Sequence, residues 1–150
     1  MTQLVAHGLG VRIPNGWEAR IRRRTALDTG ERTHPVMHAA SFVLPEHRDD
    51  FGGGVTNLMR SSDVFVTLFE YGPEAVGTPL FAAQGIPRVT AKLFATNRLQ
   101  RPLPGQLGCQ QFFTHEGRAF CLYVVAGSRA HLPRIVGQVN ALLDQLEVAP

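Results

Sequence analysis

The residues of this sequence that could bind a metal ion are chiefly its six histidines and two cysteines. His34 and His38 are four residues apart, a spacing that would place both imidazoles on one face of a helix. Pro35 and the extended pattern after it disfavour that helix, and no carboxylate or third histidine lies at zinc-ligand spacing from the pair. The histidines are therefore interpreted as surface or hydrogen-bonded side chains, and the sequence predicts no metal site.

Motifs for a nucleophile or a bound phosphate are equally weak. Cys109 and His115 lie on one predicted strand, where six residues span about 20 Å, so they cannot form a nucleophile–base pair. No serine lies in a Gly-x-Ser-x-Gly elbow. Residues 52–54 are three glycines, but no Lys-Ser/Thr ending follows them, and Asp49 and Asp50 would repel a phosphate. The sequence predicts no catalytic residue and no cofactor, and hence no enzymatic activity.

Positive charge is carried almost entirely by arginine, with 14 arginines and one lysine against 12 acidic residues. The formal net charge of +3 is low for a dedicated nucleic-acid binder, so nucleic acid is not predicted as a partner. Arg20, Arg22 and Arg24 alternate along one predicted strand and share its solvent face. They could bind an acidic partner surface, or they could guard an exposed strand edge against aggregation.

The chain length of 150 residues is the usual size of one domain, and we expect residues 1–150 to form a single domain. No stretch approaches about 18 consecutive apolar residues, and the N-terminus does not look like a leader. These features predict a cytoplasmic protein without a membrane span.

Alternation of polar and apolar residues predicts a series of β-strands. The predicted strands are residues 9–13, 17–24, 38–44, 63–71, 89–96, 109–115 and 118–126. The last two form a hairpin with its turn at residues 116–117, which pairs Cys109 with Val124 and Cys121 with Phe112. The two thiols then project from opposite faces of the sheet, so we expect them to be reduced and not joined in a disulfide.

The last element is the clearest helix. Apolar residues recur at the i, i+3, i+4, i+7 spacing from Leu132 to Leu146, and Pro133 suits the first helical position. Residues 49–60 and 73–84 predict only short helices, because glycine and proline interrupt them. The expected fold class is α+β: a mostly antiparallel sheet packed by a long C-terminal helix, with short helices or loops on the other face.

Two of the predicted strands, 63–71 and 118–126, are apolar on both faces, as expected for a sheet that is covered on both sides. With one strong helix, either the weak segments complete the cover or part of one face stays open for a partner. The predicted partner-binding residues are Phe65, Phe69, Tyr71, Phe112, Tyr123, Arg20, Arg22 and Arg24.

Residues 8–17, Gly-Leu-Gly-Val-Arg-Ile-Pro-Asn-Gly-Trp, resemble the opening of the PsbP-like fold, which is shared with the Mog-type nuclear import factor. The chain's end is also similar, with Gly117-Arg118 at a hairpin turn and a long helix that closes in Leu146-Glu147-Val148. The whole chain resembles small proteins of GC-rich, actinobacterial-type bacteria. The resemblance implies an α/β/α sandwich and a non-enzymatic role, such as a photosystem accessory subunit, a small-GTPase-binding factor or a chaperone of secreted effectors.

The sequence therefore favours a cytoplasmic interaction module, a chaperone or adaptor, that docks an apolar segment of a protein partner on its sheet. A homodimer is also possible, since the resemblance includes chaperones of the PsbP-like fold that are often dimers. The alternative is a small-ligand or lipid binder of the helix-grip type, which requires an enclosed apolar cavity of at least about 300 Å³.

Overall fold

The computed structural model describes residues 1–23 and 33–150, so the predicted partner residue Arg24 lies outside the described residues. The regular elements are β1 (Thr2–Ala6), β2 (Leu9–Ile13), β3 (Glu18–Arg22), β4 (Val36–Ala40), β5 (Val64–Glu70), β6 (Leu107–His115), β7 (Arg118–Ala126), α1 (Leu132–Asp144) and β8 (Glu147–Val148). Helix α1 has 13 residues, and none of the helices in the described ranges is long and apolar enough to cross a bilayer.

The strands form two antiparallel sheets. One has three strands in the order β1-β2-β8, and the other has five strands in the order β3-β4-β5-β7-β6. The expected α+β class, with antiparallel pairing and a helix near the C-terminus, is confirmed. The sequence predicted one sheet because it missed β1 and the two-residue strand β8, both of which pair with β2.

The β6–β7 hairpin has the predicted register. Cys109 pairs with Val124, and Cys121 pairs with Phe112. The two turn residues, 116 and 117, have positive φ values of 52° and 72°, as a two-residue type I′ turn requires. The turn therefore fixes the register, and both cysteines are free, as expected.

Residues 89–96 do not form the predicted strand. They include a 3₁₀ helix at Ala91–Leu93 and lead into another at Thr96–Arg98. The backbone N–H and C=O of Val89 bond to the side-chain amide of Asn140 on α1, at 2.9 Å each. Because a helix side chain satisfies these backbone groups, the segment needs no neighbouring strand there.

Strand β4 is also displaced from its predicted position, since it spans Val36–Ala40 instead of residues 38–44. The ladder closes at Ser41, whose backbone N–H donates to the Val64 carbonyl at 3.1 Å and whose hydroxyl accepts the Val64 N–H at 3.0 Å. The side chain thus takes the hydrogen bond that a further strand residue would have accepted, and the chain leaves the sheet.

The five-stranded sheet is covered differently on its two faces. On the first face, strand residues share one core with α1 and β2, including Ile135, Val139 and Leu142 of the helix and Leu9 and Val11 of the strand. On the second face, the cover consists of coil with short 3₁₀ turns, which contributes Leu44, Val55 and Leu99 to a second core. The weak segments therefore serve as a layer, although the longer helices considered for residues 49–60 and 73–84 do not form.

Arg118, the first residue of β7, connects the two sheets. Its guanidinium donates to both carboxylate oxygens of Glu70 on β5, at 2.9 and 2.6 Å. The same group donates to the backbone carbonyls of His7, Gly8 and Ala149, at 3.0–3.2 Å. The side chains of Arg118 and Glu70 are only 15% and 8% exposed, so this ion pair is largely shielded from water. Arg118 thus holds the β1–β2 turn and the chain end against the main sheet.

We predict that Arg118→Met lowers the free energy of unfolding by about 3 kcal/mol or more, because it leaves the Glu70 carboxylate buried without its partner. The matched control is Arg88→Met, which removes an ion pair to Asp144 whose side chains are 64% and 56% exposed. This control should change the free energy of unfolding by less than about 1 kcal/mol. Urea denaturation of both variants measures the difference. Equal losses in the free energy of unfolding would contradict the role of Arg118 in holding the two sheets together.

Candidate docking surface

The side chains on the second face of the main sheet fall into rows, because residues paired across antiparallel strands project to the same side. The first row is Glu18, Ala40, Phe65, Val125 and Gly108. The second row is Arg20, His38, Thr67, Tyr123 and Gln110. The third row is Arg22, Val36, Phe69, Cys121 and Phe112. Tyr71 projects from the same face, two residues beyond Phe69.

The coil layer covers the middle of the first and second rows. Phe65 is 0% exposed and Tyr123 is 1% exposed, so neither ring can contact a partner in this conformation. Gly52 lies so close to Phe65 that an added Cβ would be 2.9 Å from the ring, and the Tyr123 hydroxyl accepts the Gln100 N–H at 2.8 Å. The expectation that Phe65 and Tyr123 belong to an open patch is therefore corrected: they anchor the protein's own cover.

His38 attaches the coil layer to the second row. Arg48 Nε donates to His38 Nδ1 at 2.8 Å, and the other ring nitrogen, Nε2, lies 2.8 Å from the Asp50 carbonyl oxygen. Since a guanidinium only donates, Nδ1 must accept, and Nε2 carries the proton that it donates to Asp50. The pKa of His38 is lowered to about 4, chiefly by burial and also by the Arg48 and Arg22 charges, and the hydrogen bond to the Asp50 carbonyl partly opposes the shift. The imidazole is neutral near pH 7.

We predict that His38 makes the protein less stable as the pH falls from about 6.5 to about 4. In this window the unfolded chain binds a proton at His38 and the folded chain does not, so protons favour unfolding. The shift corresponds to a loss of up to about 3 kcal/mol in the free energy of unfolding. Urea denaturation at several pH values should show a shallower loss for His38→Gln than for His47→Gln, a control at an exposed histidine; parallel curves would contradict the prediction.

The aromatic strip is defined as Phe51, Phe69, Tyr71, Phe81 and Phe112. It lies where the coil layer covers the main sheet only partly. Its rings contact one another in series: 5.1 Å between the centroids of Phe51 and Phe69, 4.9 Å from Phe69 to Tyr71, 5.0 Å from Tyr71 to Phe81, and 5.6 Å from Phe81 to Phe112. Phe81 is buried, and the other four rings are partly exposed. The strip is therefore a connected aromatic surface that the described chain only partly covers.

Three residues predicted from the sequence, Phe69, Tyr71 and Phe112, are brought together in this strip. The sequence reasoning missed Phe51 and Phe81 because they lie in segments broken by glycine and proline, where no periodicity indicates burial. The one signal available was a lone aromatic residue in each weak segment. Leu80, beside Phe81, is 59% exposed and extends the apolar surface.

The arginine cluster, defined as Arg20, Arg22 and Arg48, lies at the β3 end of the second and third rows. The Arg22 guanidinium donates to the Arg48 carbonyl at 2.5 Å, and the Arg20 side chain is 56% exposed. Burial lowers the pKa of Arg48, and the positive charges of Arg22 and Arg20 lower it further, whereas Glu18 opposes this. The sequence predicted Arg20 and Arg22 as partner residues; the structure adds Arg48 from the coil layer.

Two surface depressions are lined by described residues near these features. One of about 650 Å³ includes Trp17, Phe42, Val43 and Leu58, and another of about 560 Å³ lies beside Phe51. Both are open to solvent. They do not provide the enclosed apolar cavity that the small-ligand alternative requires.

The Ser128–His131 pair is the closest approach to a catalytic arrangement, with 3.0 Å between Ser128 Oγ and His131 Nδ1. The hydroxyl already donates to the Ser61 carbonyl at 2.8 Å and accepts the His131 backbone N–H at 3.3 Å. These bonds close the turn that precedes α1. In the described ranges, no group of three or more His, Cys, Asp or Glu side chains could hold a metal ion.

Both cysteines are buried, and burial raises the pKa of Cys109 to about 11 and that of Cys121 to about 12. A thiol with such a pKa carries almost no thiolate at neutral pH and is a poor nucleophile. We predict that 5,5′-dithiobis(2-nitrobenzoate) releases little colour from the native protein and reacts with both thiols once urea unfolds it. Rapid reaction of the native protein would contradict this assignment.

Comparisons of the chain with protein-family models, with curated proteins and with solved structures found no match. The aromatic strip and the arginine cluster are thus the features from which a function has to be inferred.

Proposed function

We propose that this protein is a non-enzymatic interaction module, a chaperone or adaptor, that docks an apolar segment of a protein partner on the aromatic strip. The observation that carries the proposal is the series of four partly exposed rings, Phe51, Phe69, Tyr71 and Phe112, in which buried Phe81 lies between the last two. Aromatic side chains are enriched among the residues that dominate binding energy at protein interfaces. A surface of this kind favours an apolar segment over a polar ligand.

The rigidity of the strip supports the same function. Phe69 on β5 and Phe112 on β6 project from the two strands that flank β7, and Phe51 and Phe81 pack against them from the coil layer. Side chains fixed by neighbouring rings lose little rotational freedom when a partner binds, so more of the contact energy appears as affinity. The buried, free thiols of Cys109 and Cys121 support a place in a reducing compartment such as the cytoplasm.

We further infer that the fold is of the PsbP-like or Mog type. In support, the Pro14–Gly16 turn follows strand β2, and the β6–β7 hairpin leads directly into the long helix α1. The layer on the second face is coil with 3₁₀ turns where an α/β/α sandwich would have helices. The first face, packed by α1, supports the assignment better than the second.

The test uses short random peptides displayed on phage and selected on the intact protein, with the recovered peptides synthesised and their affinity measured by fluorescence anisotropy. We predict that Phe69→Glu weakens binding about tenfold or more, because a carboxylate in the strip removes an apolar contact and must itself be desolvated. The matched control is Val43→Glu, which makes the same kind of change at an apolar residue that is 74% exposed and outside the strip. It should leave peptide affinity within about twofold.

Thermal unfolding of both variants establishes that each is folded before its affinity is compared. Failure to recover peptides, or peptides that bind Phe69→Glu as tightly as the unmodified protein, would overturn the docking proposal. Sedimentation equilibrium tests for a second copy of the chain as the occupant: a dimer that Phe69→Glu dissociates would assign the strip to self-association instead.

A further inference from the structure

The third row of the sheet contains one residue of the arginine cluster, Arg22, and two residues of the aromatic strip, Phe69 and Phe112. Arg22, at the β3 end of the third row, is followed across the strands by buried Val36 and then by Phe69. Neighbouring strands are about 4.8 Å apart, so Arg22 and Phe69 are separated by about 10 Å along the row. A single extended peptide that crosses the sheet can therefore contact both features.

Two members of the cluster, Arg20 and Arg48, carry more positive charge than the described carboxylate beside them offsets. In the described part of the chain, the carboxylates within ion-pair distance are Glu18, 3.7 Å from Arg20, and Asp50, 3.9 Å from Arg22. Glu18 also accepts the Leu44 N–H at 3.1 Å, which uses one of its oxygens. His38 adds no charge, because Arg48 donates to its Nδ1 and the ring is neutral. Among the described residues, Arg20 and Arg48 thus carry two positive charges beside one carboxylate, Glu18, which lies 3.7 Å from Arg20.

Arg20 and Arg48 retain donors for a further anion. Arg20 Nη1 donates to its neighbouring Ala19 carbonyl, and its Nη2 contacts Glu18 only at 3.7 Å. Arg48 directs Nε to His38 and Nη1 to the carbonyls of residues 45 and 46, which leaves the Nη2 donors for an incoming group. Adjacent guanidinium groups repel one another, and an anion placed between them relieves that repulsion.

We propose that the partner segment is acidic as well as apolar: a carboxylate of the partner binds the arginine cluster while an apolar side chain packs on the aromatic strip. This inference depends on the docking function proposed above. An extended chain rises about 3.3 Å per residue, so the distance of about 10 Å places the acidic residue about three positions from the apolar anchor. The occupant is therefore a short, extended peptide segment with an Asp or Glu at that spacing from a Leu, Phe or Trp.

The same selected peptides test this inference. Their sequences should be enriched in Asp or Glu about three positions from an apolar residue. Arg20→Gln should weaken binding of such a peptide about fivefold, which is the upper range for a solvent-exposed ion pair. Arg134→Gln is the matched control, because Arg134 lies exposed on α1, which covers the opposite face. It removes the same charge and should leave the affinity within about twofold.

A second peptide, in which the acidic residue is replaced by its amide, completes a double-mutant cycle. The Arg20→Gln effect should disappear with the amide peptide, and added salt should weaken the acidic peptide more than the amide peptide. Peptides without acidic enrichment, or an Arg20→Gln effect that is the same with both peptides, would overturn the acidic-partner inference. If Phe69→Glu still abolishes binding in that case, the docking function stands; if it does not, the docking function fails as well.

Discussion

The main sheet is apolar on both faces, and this constraint determines how the rest of the chain is used. Val66, Leu122 and Val124 require cover on one side, and Phe65, Tyr123 and Val125 require it on the other. Each fully buried apolar side chain contributes about 1.5–3 kcal/mol relative to an exposed one, so neither face can be left entirely to water. A chain with one long helix therefore needs a second kind of layer.

The two layers differ in how they are held. The first is α1 with the small sheet. Its apolar stripe is buried, and Arg118 connects it to the main sheet by donating to the carbonyls of His7, Gly8 and Ala149 while it pairs with Glu70. The second is coil, whose turns satisfy only part of its backbone groups, so other groups bond to the sheet. His38 and Thr67 provide that attachment, since both donate to the carbonyl of Asp50, at 2.8 and 3.0 Å. Polar contacts therefore position the coil layer, and apolar contacts beneath it exclude water from the second face.

Alternation and turn chemistry predict most strands from the sequence, because the side-chain period and the turn at residues 116–117 are local properties. The structure of the coil layer depends instead on contacts between residues that are distant in the sequence. Gly52 is required by its approach to Phe65, and Val89 avoids a strand because Asn140, about 50 residues later, satisfies its backbone. The candidate docking surface is likewise only partly predictable from local sequence patterns. Apolar residues on both faces indicate that both faces need cover, but no local pattern shows that Phe65 is fully covered and Phe69 only partly.

The position of the aromatic strip follows from where the polar residues of the second face lie. His38 and Thr67 stand in the second row, and a buried polar group without a partner costs about 1–3 kcal/mol, so the coil must cross the sheet there. The segment from Arg48 to Asp50 makes that crossing, and Phe51 immediately after it stacks on Phe69 at the border. In the third row, Val36 and Cys121 are buried, whereas Phe69 and Phe112 are partly exposed. Beyond that row the coil is attached to the sheet again, because the Thr114 hydroxyl donates to the Phe81 carbonyl at 2.7 Å. Phe51 and Phe81 therefore border Phe69 and Phe112 and leave them partly exposed.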